Sequence, residues 1–484
     1  MPAAEERRPN ILWICTDQQR FDSLGCYGNR FVRTPNIDAL ANAGVSLDAC
    51  FSQSPICTPS RASFLTGRYP RTTRCRQNGQ SIPEDELLAT RVLADAGYTC
   101  GLAGKFHLSA CHPSVAPVME RRVDDGYSSF DWSHDSEAYW SANEYRNWLA
   151  GQGVEYQRRN LPDSRHVQTS VPAEFHQSKW CADRAIDFIE AHAQQPEPWL
   201  FSINFFDPHH PFDPPESHLE RYLGSLSDIP LPDYRPGELH NKPFFQDNDH
   251  RKAYNKEGFF PFPEMTDHDH RLIRAAYWAM IDLIDDQVGR LLDTLQRTGQ
   301  LDDTLVLFMS DHGEMLGDHG IYLKGPYFYE PAVRVPVIIS WPRRVQQGER
   351  HDHLTELVDI APTLFEAAGI EQPVGLQGHS QWPALTGSAP KSSRDDVYCE
   401  YYNARSSHSH PQAHGTMLRS KTHKLVAMHG FGQGELYDLS ADPTEFDNLW
   451  DDPAASAVKS ELLERLCDRM AWTVDPLPLR EGPW

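Results

Sequence analysis

The chain lacks a long apolar run at its start. The longest there, Ile11 to Cys15, is far too short for a signal-peptide core or a membrane span, so a cytoplasmic protein without a membrane partner is expected. Paired cysteines are missing as well: none of the ten falls in a CxxC pair or a compact framework. That spacing excludes a disulfide scaffold and agrees with reduced thiols in the cytoplasm. Positive charge is in deficit, with 45 Lys and Arg against 68 Asp and Glu and a net charge of −23. Nucleic acid and anionic membranes are thereby excluded as general partners, and an anionic substrate would need a local cationic pocket. There is no internal repeat and no low-complexity tract.

What is present reads as globular, with 39% hydrophobic and 23% charged residues over a length of 484. Short apolar runs at 10–16 (NILWICT), 98–102, 199–206 (WLFSINFF), 304–309 (TLVLFM) and 335–341 (VPVIISW) predict buried strands. Between them lie helical patterns. The clearest starts near Thr266, repeats Ile273, Tyr277, Ile281, Ile284, Val288, Leu291 and Leu295, and stops at Gly299. A second carries Leu357, Ala361, Leu364 and Phe365 and ends at Gly369. Residues 213–265, rich in Pro, Asp and Phe, lack period and predict a surface excursion. The aromatic-rich segment 126–148 reads first as a helix with a buried stripe, and second, with Arg71, Arg74 and Arg76, as a pocket wall. The expected fold class is α/β: a large mixed, mostly parallel sheet flanked by helices over 1–387, then a smaller α+β domain over 388–484. In the smaller domain, strands are predicted at 397–402, 424–428 and 436–439, and a helix at 457–470.

Open α/β sheets hold ligands beyond the carboxyl ends of their strands. The residues there are Asp17 and Gln18 after the first run, and Lys105 and His107 after the second. Asp207, His209 and His210 follow the third; Asp311, His312 and later Lys324 follow the fourth. Asp17, Gln18 and Asp311 offer hard oxygens for a divalent ion, with His312 as a nitrogen donor. Lys105, Lys324, Arg61 and the histidines offer donors to an anion. The stretch PICTPSRASFLTGRYP, residues 55–70, places Cys57 at the head of a predicted helix, facing free backbone N–H groups. A metal, cations and a helix N-terminus around one nucleophile suit displacement at a tetrahedral oxyanion, sulfuryl or phosphoryl.

Cys57-Thr58-Pro59-Ser60-Arg61 resembles the Cys-x-Pro-Ser-Arg signature of the type I sulfatases, within the alkaline phosphatase superfamily. The resemblance runs over almost the whole chain, through PNILWICTDQQRFDSLGCYGN, AGKFHL, DPHHPF, SDHGEMLGDHGIYLKGPYFYEPAVRVPVII and GELYDLSADPTEFDNLW. It implies an alkaline-phosphatase-like fold and a sulfuric ester hydrolase of the arylsulfatase type, acting on a small-molecule or glycan sulfate ester. Cys57 would be oxidised to formylglycine by a formylglycine-generating enzyme that reads Pro59 and Arg61, and Arg61 would later hold the aldehyde hydrate. One hydroxyl of that gem-diol would attack sulfur, and the other would collapse to expel sulfate. By matching position, His107 handles the diol proton and Lys105 bridges diol and sulfate. His209 and Lys324 flank the bridging oxygen, where one of them protonates the leaving group.

Asp17, Gln18, Asp311 and His312 match the metal ligands, and residue 57 completes the set. Ca²⁺ is the expected ion. Gln18 and His312, where many relatives carry Asp and Asn, leave Mg²⁺ and Mn²⁺ open. His210 stands in for His209 if the loop shifts by one residue, and Asp318 and His319 read as structural. The competing expectation keeps the site and hydrolyses phosphonate monoesters or phosphate diesters. Two others, an anion-binding protein with unoxidised Cys57 and a zinc phosphatase with Thr58 as nucleophile, fit the residue set less well. An oligomer is left open.

Overall fold

The computed structural model describes residues 8–137, 139–388, 394–480 and 482. Its centre is β1 (Asn10–Thr16), buried along its whole length. In chain order the other strands of its sheet are β2 (Val45–Leu47), β3 (Thr99–Gly104), β4 (Ser129–Trp132), β5 (Trp199–Asn204), β6 (Thr304–Ser310), β7 (Val337–Ser340) and β8 (Glu349–His351). They lie in the order β8-β2-β7-β6-β1-β5-β3-β4. From β6 to β4 neighbouring strands are parallel, and β7 is antiparallel to both β6 and β2. This is the expected mixed, mostly parallel sheet.

Alternation along β1 sends Leu12 and Ile14 to one face and Ile11, Trp13 and Cys15 to the other. The first face is covered by α2 (Gln177–Ala191) and α3 (Asp267–Arg297), the second by α1 (Cys57–Thr66) with Ala62, Phe64 and Leu65. The helix predicted from Thr266 is α3: Thr266 caps it in a reciprocal capping box with Asp269, and Gly299 turns the chain away at φ 72°.

Three expectations change. The run 335–341 is divided at Pro336, which has no N–H to give a ladder. Arg334–Val335 pairs with Cys50–Phe51 in a separate small sheet, and only Val337–Ser340 joins the large one. The excursion 213–265 holds two helices, Glu216–Leu223 and Phe244–Arg251, each about two turns and too short to show a period. The segment 126–148 is mostly β4 and loop, with helical structure starting only at Glu144. Tyr127, Trp132, Trp140 and Tyr145 are buried as expected, but they come from a strand, loops and the start of a helix rather than from one helix face.

Beyond residue 395 a four-stranded antiparallel sheet runs β9 (Asp396–Tyr402), β10 (His414–Ser420), β11 (His423–Met428) and β12 (Gln433–Asp438) in sequential order. The helix α4 (Ser456–Trp472) packs on it through Leu462 and Leu466. β10 was not legible, because HGTMLRS has two apolar residues and no alternation; pairing on both edges makes it a strand. The boundary expected at 387–388 abuts residues 389–393, which lie outside the described residues. All ten cysteines are free thiols. Among the described residues no helix is long and apolar enough to cross a membrane.

The C-terminal sheet is tied to the rest of the fold by a buried ion cluster around Glu356, which lies on the strand Thr355–Glu356 paired with Cys50–Phe51 in the separate small sheet. Glu356 accepts from Tyr69 Oη at 2.5 Å and from the backbone N–H of Tyr398 at 2.7 Å. It also pairs with Arg394 at 2.8 Å and Arg469 at 2.7 Å. Removing one member of a buried ion pair leaves the other charged and unsolvated, at a cost of about 3–5 kcal/mol. Glu356→Ala is expected to lose that much stability in guanidinium unfolding followed by circular dichroism; a loss under about 1 kcal/mol would contradict the role given to the cluster.

Candidate active site

Four adjacent parallel strands deliver the site. Thr16 and Ser310 are register partners, so Asp17 and Asp311 leave the sheet side by side. Gly104 and Cys15 both pair with Asn204, which sets the 105–107 and 207–210 loops beside them. Asp17, Gln18, Asp311, His312 and Lys324 are wholly buried; Cys57, Arg61 and Lys105 are almost so. His209 and His210 are half-buried at the mouth of the cavity. With His107, also buried and lining the same cavity, the ten residues expected from the sequence and the alternate His210 converge.

Two carboxylates cannot be kept dry and ionised without cations. Arg61 supplies the first, giving Nε to Asp311 at 2.9 Å, an η-nitrogen to Asp17 at 3.2 Å, and the other to the Lys105 carbonyl at 3.1 Å. Lys105 Nζ lies 2.6 Å from Asp17 Oδ2. Burial and then Cys57 push Asp17 up, but the ammonium groups of Lys105 and Lys324 outweigh them and hold the carboxyl below its usual range. Asp311 stays above its usual value through burial and then Asp17. Three fixed cations against two carboxylates leave the floor positive.

Cys57 is the first residue of α1, as its flanking prolines predicted. Its Sγ lies 3.0 Å from Lys324 Nζ, 3.1 Å from His312 Nε2 and 3.8 Å from Lys105 Nζ. Burial alone would raise the thiol; Lys105, Lys324 and His312 together hold it well below its ordinary value. His107 and His209 also face the sulfur. Burial and then Lys105 push His107 down to about 4, and burial and then Lys324 push His209 down to about 3. Both are therefore neutral at pH 7. His210 stacks on His209 at 4.1 Å and lies 3.5 Å from Gln18 Nε2, one step further from the sulfur.

The donor set fits a divalent cation. Asp17, Cys57, Asp311 and His312 present one ligand atom each within 4.8 Å of one another. His312 Nδ1 donates to the Gly313 carbonyl at 2.9 Å, which turns Nε2 toward residue 57. Gln18 Nε2 donates to Glu314, leaving Gln18 Oε1 buried without a protein partner, an oxygen free for a cation. These oxygens and one imidazole suit Ca²⁺, Mg²⁺ or Mn²⁺.

Four residues escaped the sequence reading. Glu314 orients Gln18 and was within the quoted SDHGEMLGDHG run, where only its burial reveals it. Ser60 Oγ donates to the Asp311 carbonyl at 2.5 Å. Glu120 accepts from the N–H groups of His107, Leu108 and Ser109 and from the Trp132 indole, fixing the His107 loop. Arg405 reaches the cavity from the C-terminal sheet and gave no sequence signal. Above the floor the cavity holds about 520 Å³, with His134, Asp135, Glu137 and Arg158 on one wall and Arg405 on another. Arg71, Arg74 and Arg76 do not line it: Arg71 pairs with Glu400, Arg74 with Asp85, and Arg76 lies over the Tyr402 ring. Asp318 pairs with Arg20 and Arg274, and His319 with Glu238, as structural residues should.

A buried nucleophile position ringed by cations and hard oxygens defines a hydrolase-type site for a tetrahedral anion. The chain belongs to the sulfatase family, within the alkaline phosphatase superfamily: the sulfatase model matches residues 9–370, and a second, N-sulphoglucosamine sulphohydrolase, C-terminal, matches 317–471. It is 30% identical to an uncharacterized sulfatase, YidJ, of Escherichia coli, over 97% of this chain and 88% of that one. It is also 30% identical to an arylsulfatase of Clostridium perfringens, over 91% of this chain and 90% of that one. Among solved structures, the phosphonate monoester hydrolase SpPMH from Silicibacter pomeroyi matches with a TM-score of 0.85 and 27% identity, covering 97% of this chain and 96% of that one. The family implies a formylglycine and a metal site, and the buried Asp17, Cys57, Asp311 and His312 group is present for them.

If this group holds the metal, elemental analysis of protein loaded with Ca²⁺, Mg²⁺ or Mn²⁺ and then desalted is expected to give about one ion per chain. Asp311→Ala is expected to lose it while its circular dichroism spectrum stays native. Undiminished stoichiometry in the variant would move the metal elsewhere.

Proposed function

We propose that the protein hydrolyses sulfate monoesters of small molecules or glycans, with residue 57 matured from Cys to formylglycine. The observation that carries this reading is the complete ring of Lys105, His107, His209 and Lys324 about residue 57, over a floor with more positive charge than negative. The reaction breaks the S–O bond to the organic group, puts an oxygen on sulfur and a proton on the departing oxygen. Formylglycine supplies a hydroxyl nucleophile through its hydrate, and a divalent ion held by Asp17, Gln18, Asp311 and His312 supplies Lewis acidity toward the sulfate oxygens.

This chain's own side chains do the rest. Neutral His107 faces residue 57 and accepts the proton that the nucleophile loses. Lys105, fixed by Asp17, holds nonbridging oxygens; Lys324, 3.0 Å from the residue 57 sulfur, stands where charge leaves and donates to the departing oxygen with His209 beside it. Arg61 keeps both metal-binding carboxylates ionised and aligned. All these donors are preorganised in a dry site, where fixed dipoles and charges act most strongly.

A second reading, hydrolysis of phosphonate monoesters or phosphate diesters by the same residues, is favoured by the likeness to SpPMH over nearly the full length of both chains. Such substrates also carry one negative charge, so the charge of the floor accepts them too. The sulfate reading rests on the family and on its signature at residues 57–61.

Two measurements test the proposal. In active preparations, peptide mass spectrometry is expected to show residue 57 free of sulfur and reactive toward a hydrazide, with activity proportional to that fraction; full activity from the thiol form would overturn the formylglycine reading. On fully matured, metal-loaded enzyme, kcat/KM is expected to be higher for phenyl sulfates than for matched phenyl phosphonates and phosphate diesters. A clear preference for the phosphorus esters would transfer the chain to the second reading.

A further inference from the structure

Of the lysines and arginines described around the cavity, one has no carboxylate within ion-pair distance. On the far wall Arg158 pairs with Glu137 and, at 2.6 Å, with Asp213. On the floor Lys105 and Arg61 are matched to Asp17 and Asp311. Arg405 lines the same cavity. Among the described residues no carboxylate lies within ion-pair distance of it, and its Nε is buried with no hydrogen-bond partner. Asp249, which also faces Tyr254, is taken by His408 Nε2 at 2.9 Å.

The guanidinium is nonetheless held in place. It lies over the Tyr254 ring at 3.6 Å, and Tyr254 in turn packs against His210 at 5.6 Å. Stacking fixes the plane of the fork and leaves its N–H edges to meet a planar or tetrahedral anion. The backbone that carries it is tied to the floor: Asn78 N–H donates to the Ala404 carbonyl at 3.0 Å, and Gln77 Nε2 to the Tyr402 carbonyl at 3.2 Å. Asn78 Oδ1 accepts from the N–H of Thr58, the residue after Cys57, at 3.0 Å. A cation without a counter-ion, stacked and pinned at a cavity wall in a chain of net charge −23, is poised for an anion from outside the protein.

We propose that Arg405 is a specificity-determining residue that binds a second anionic group, a carboxylate or another sulfate, on the organic half of the ester. The preferred substrates are then acidic sulfate esters, with one anion at residue 57 and another at the wall. This rests on the sulfatase reading for its turnover, but not for its anion binding. A charged hydrogen bond to a buried or half-buried site changes affinity by about 10- to 100-fold.

The test uses matured, metal-loaded enzyme with the ortho-, meta- and para-carboxyphenyl sulfates and their uncharged carboxamides. In the wild type, at least one carboxylate is expected to exceed its amide in kcat/KM, mainly through KM. In Arg405→Gln the acid-to-amide ratio is expected to fall about 10- to 100-fold, and in Arg405→Lys to fall less, since charge is kept but the fork is lost. Calorimetry with the corresponding hydroxybenzoates and hydroxybenzamides reads the same selectivity without turnover. Acid-selective binding with no sulfate ester hydrolysed would uphold Arg405 and overturn the sulfatase reading. Equal binding of acid and amide by the wild type, or an unchanged ratio in Arg405→Gln, would overturn this proposal. Should Arg405→Gln fail to fold, an Arg405→Lys ratio equal to wild type in both assays would do so.

Discussion

Asp17 and Asp311 stand dry and side by side at the ends of two paired strands, and that placement is stable only because Arg61 spans both. Arg61 also donates to the carbonyl of Lys105, so one guanidinium sets the spacing between three strand ends. It sits one turn into α1, so the same contact fixes the helix whose first residue is Cys57. The nucleophile position, the carboxylates and the anion-binding lysine are therefore one mechanical unit. A carboxylate that lost its share of Arg61 would be a buried uncompensated charge, which a fold of ordinary stability cannot carry lightly.

The same electrostatics explain how a strongly acidic chain serves an anionic substrate. Its surplus of Asp and Glu keeps general polyanions away, while the cavity floor concentrates Arg61, Lys105 and Lys324 against two carboxylates. Neutral His107 and His209 line that floor without adding charge to it. Their neutrality comes from burial first and from the neighbouring lysines second.

The C-terminal sheet is part of the site's construction. Glu356, on the three-stranded sheet that holds Cys50–Phe51, binds Arg394 and Arg469 from that region, and the 402–405 segment is laced to Gln77 and Asn78. Between those two attachments the C-terminal sheet closes one side of the cavity and puts Arg405 there. The floor, common to a reaction, comes from the large sheet; a wall, which decides what enters, comes from the C-terminal one.

The amino-acid sequence by itself determined the parallel core and the floor of the site. Apolar runs buried on both faces identify strands such as 10–16 and 304–309 directly, and an α/β sheet places its ligands where those runs end. Asp17, Gln18, Lys105, His107, Asp311 and His312 were legible for that reason, and the Cys-x-Pro-Ser-Arg stretch added residues 57 and 61. Tertiary structure alone decided the rest. Glu314 and Glu120 act through buried hydrogen bonds to residues that are not their sequence neighbours in any periodic sense, and acids of that kind look like surface charge in a sequence. Arg405 stands more than 300 residues from Cys57, in a segment without pattern, and only the docking of one sheet on the other brings it to the cavity. A period records which face of an element is buried; it carries no record of which distant chain covers that face, because that is settled by packing between elements.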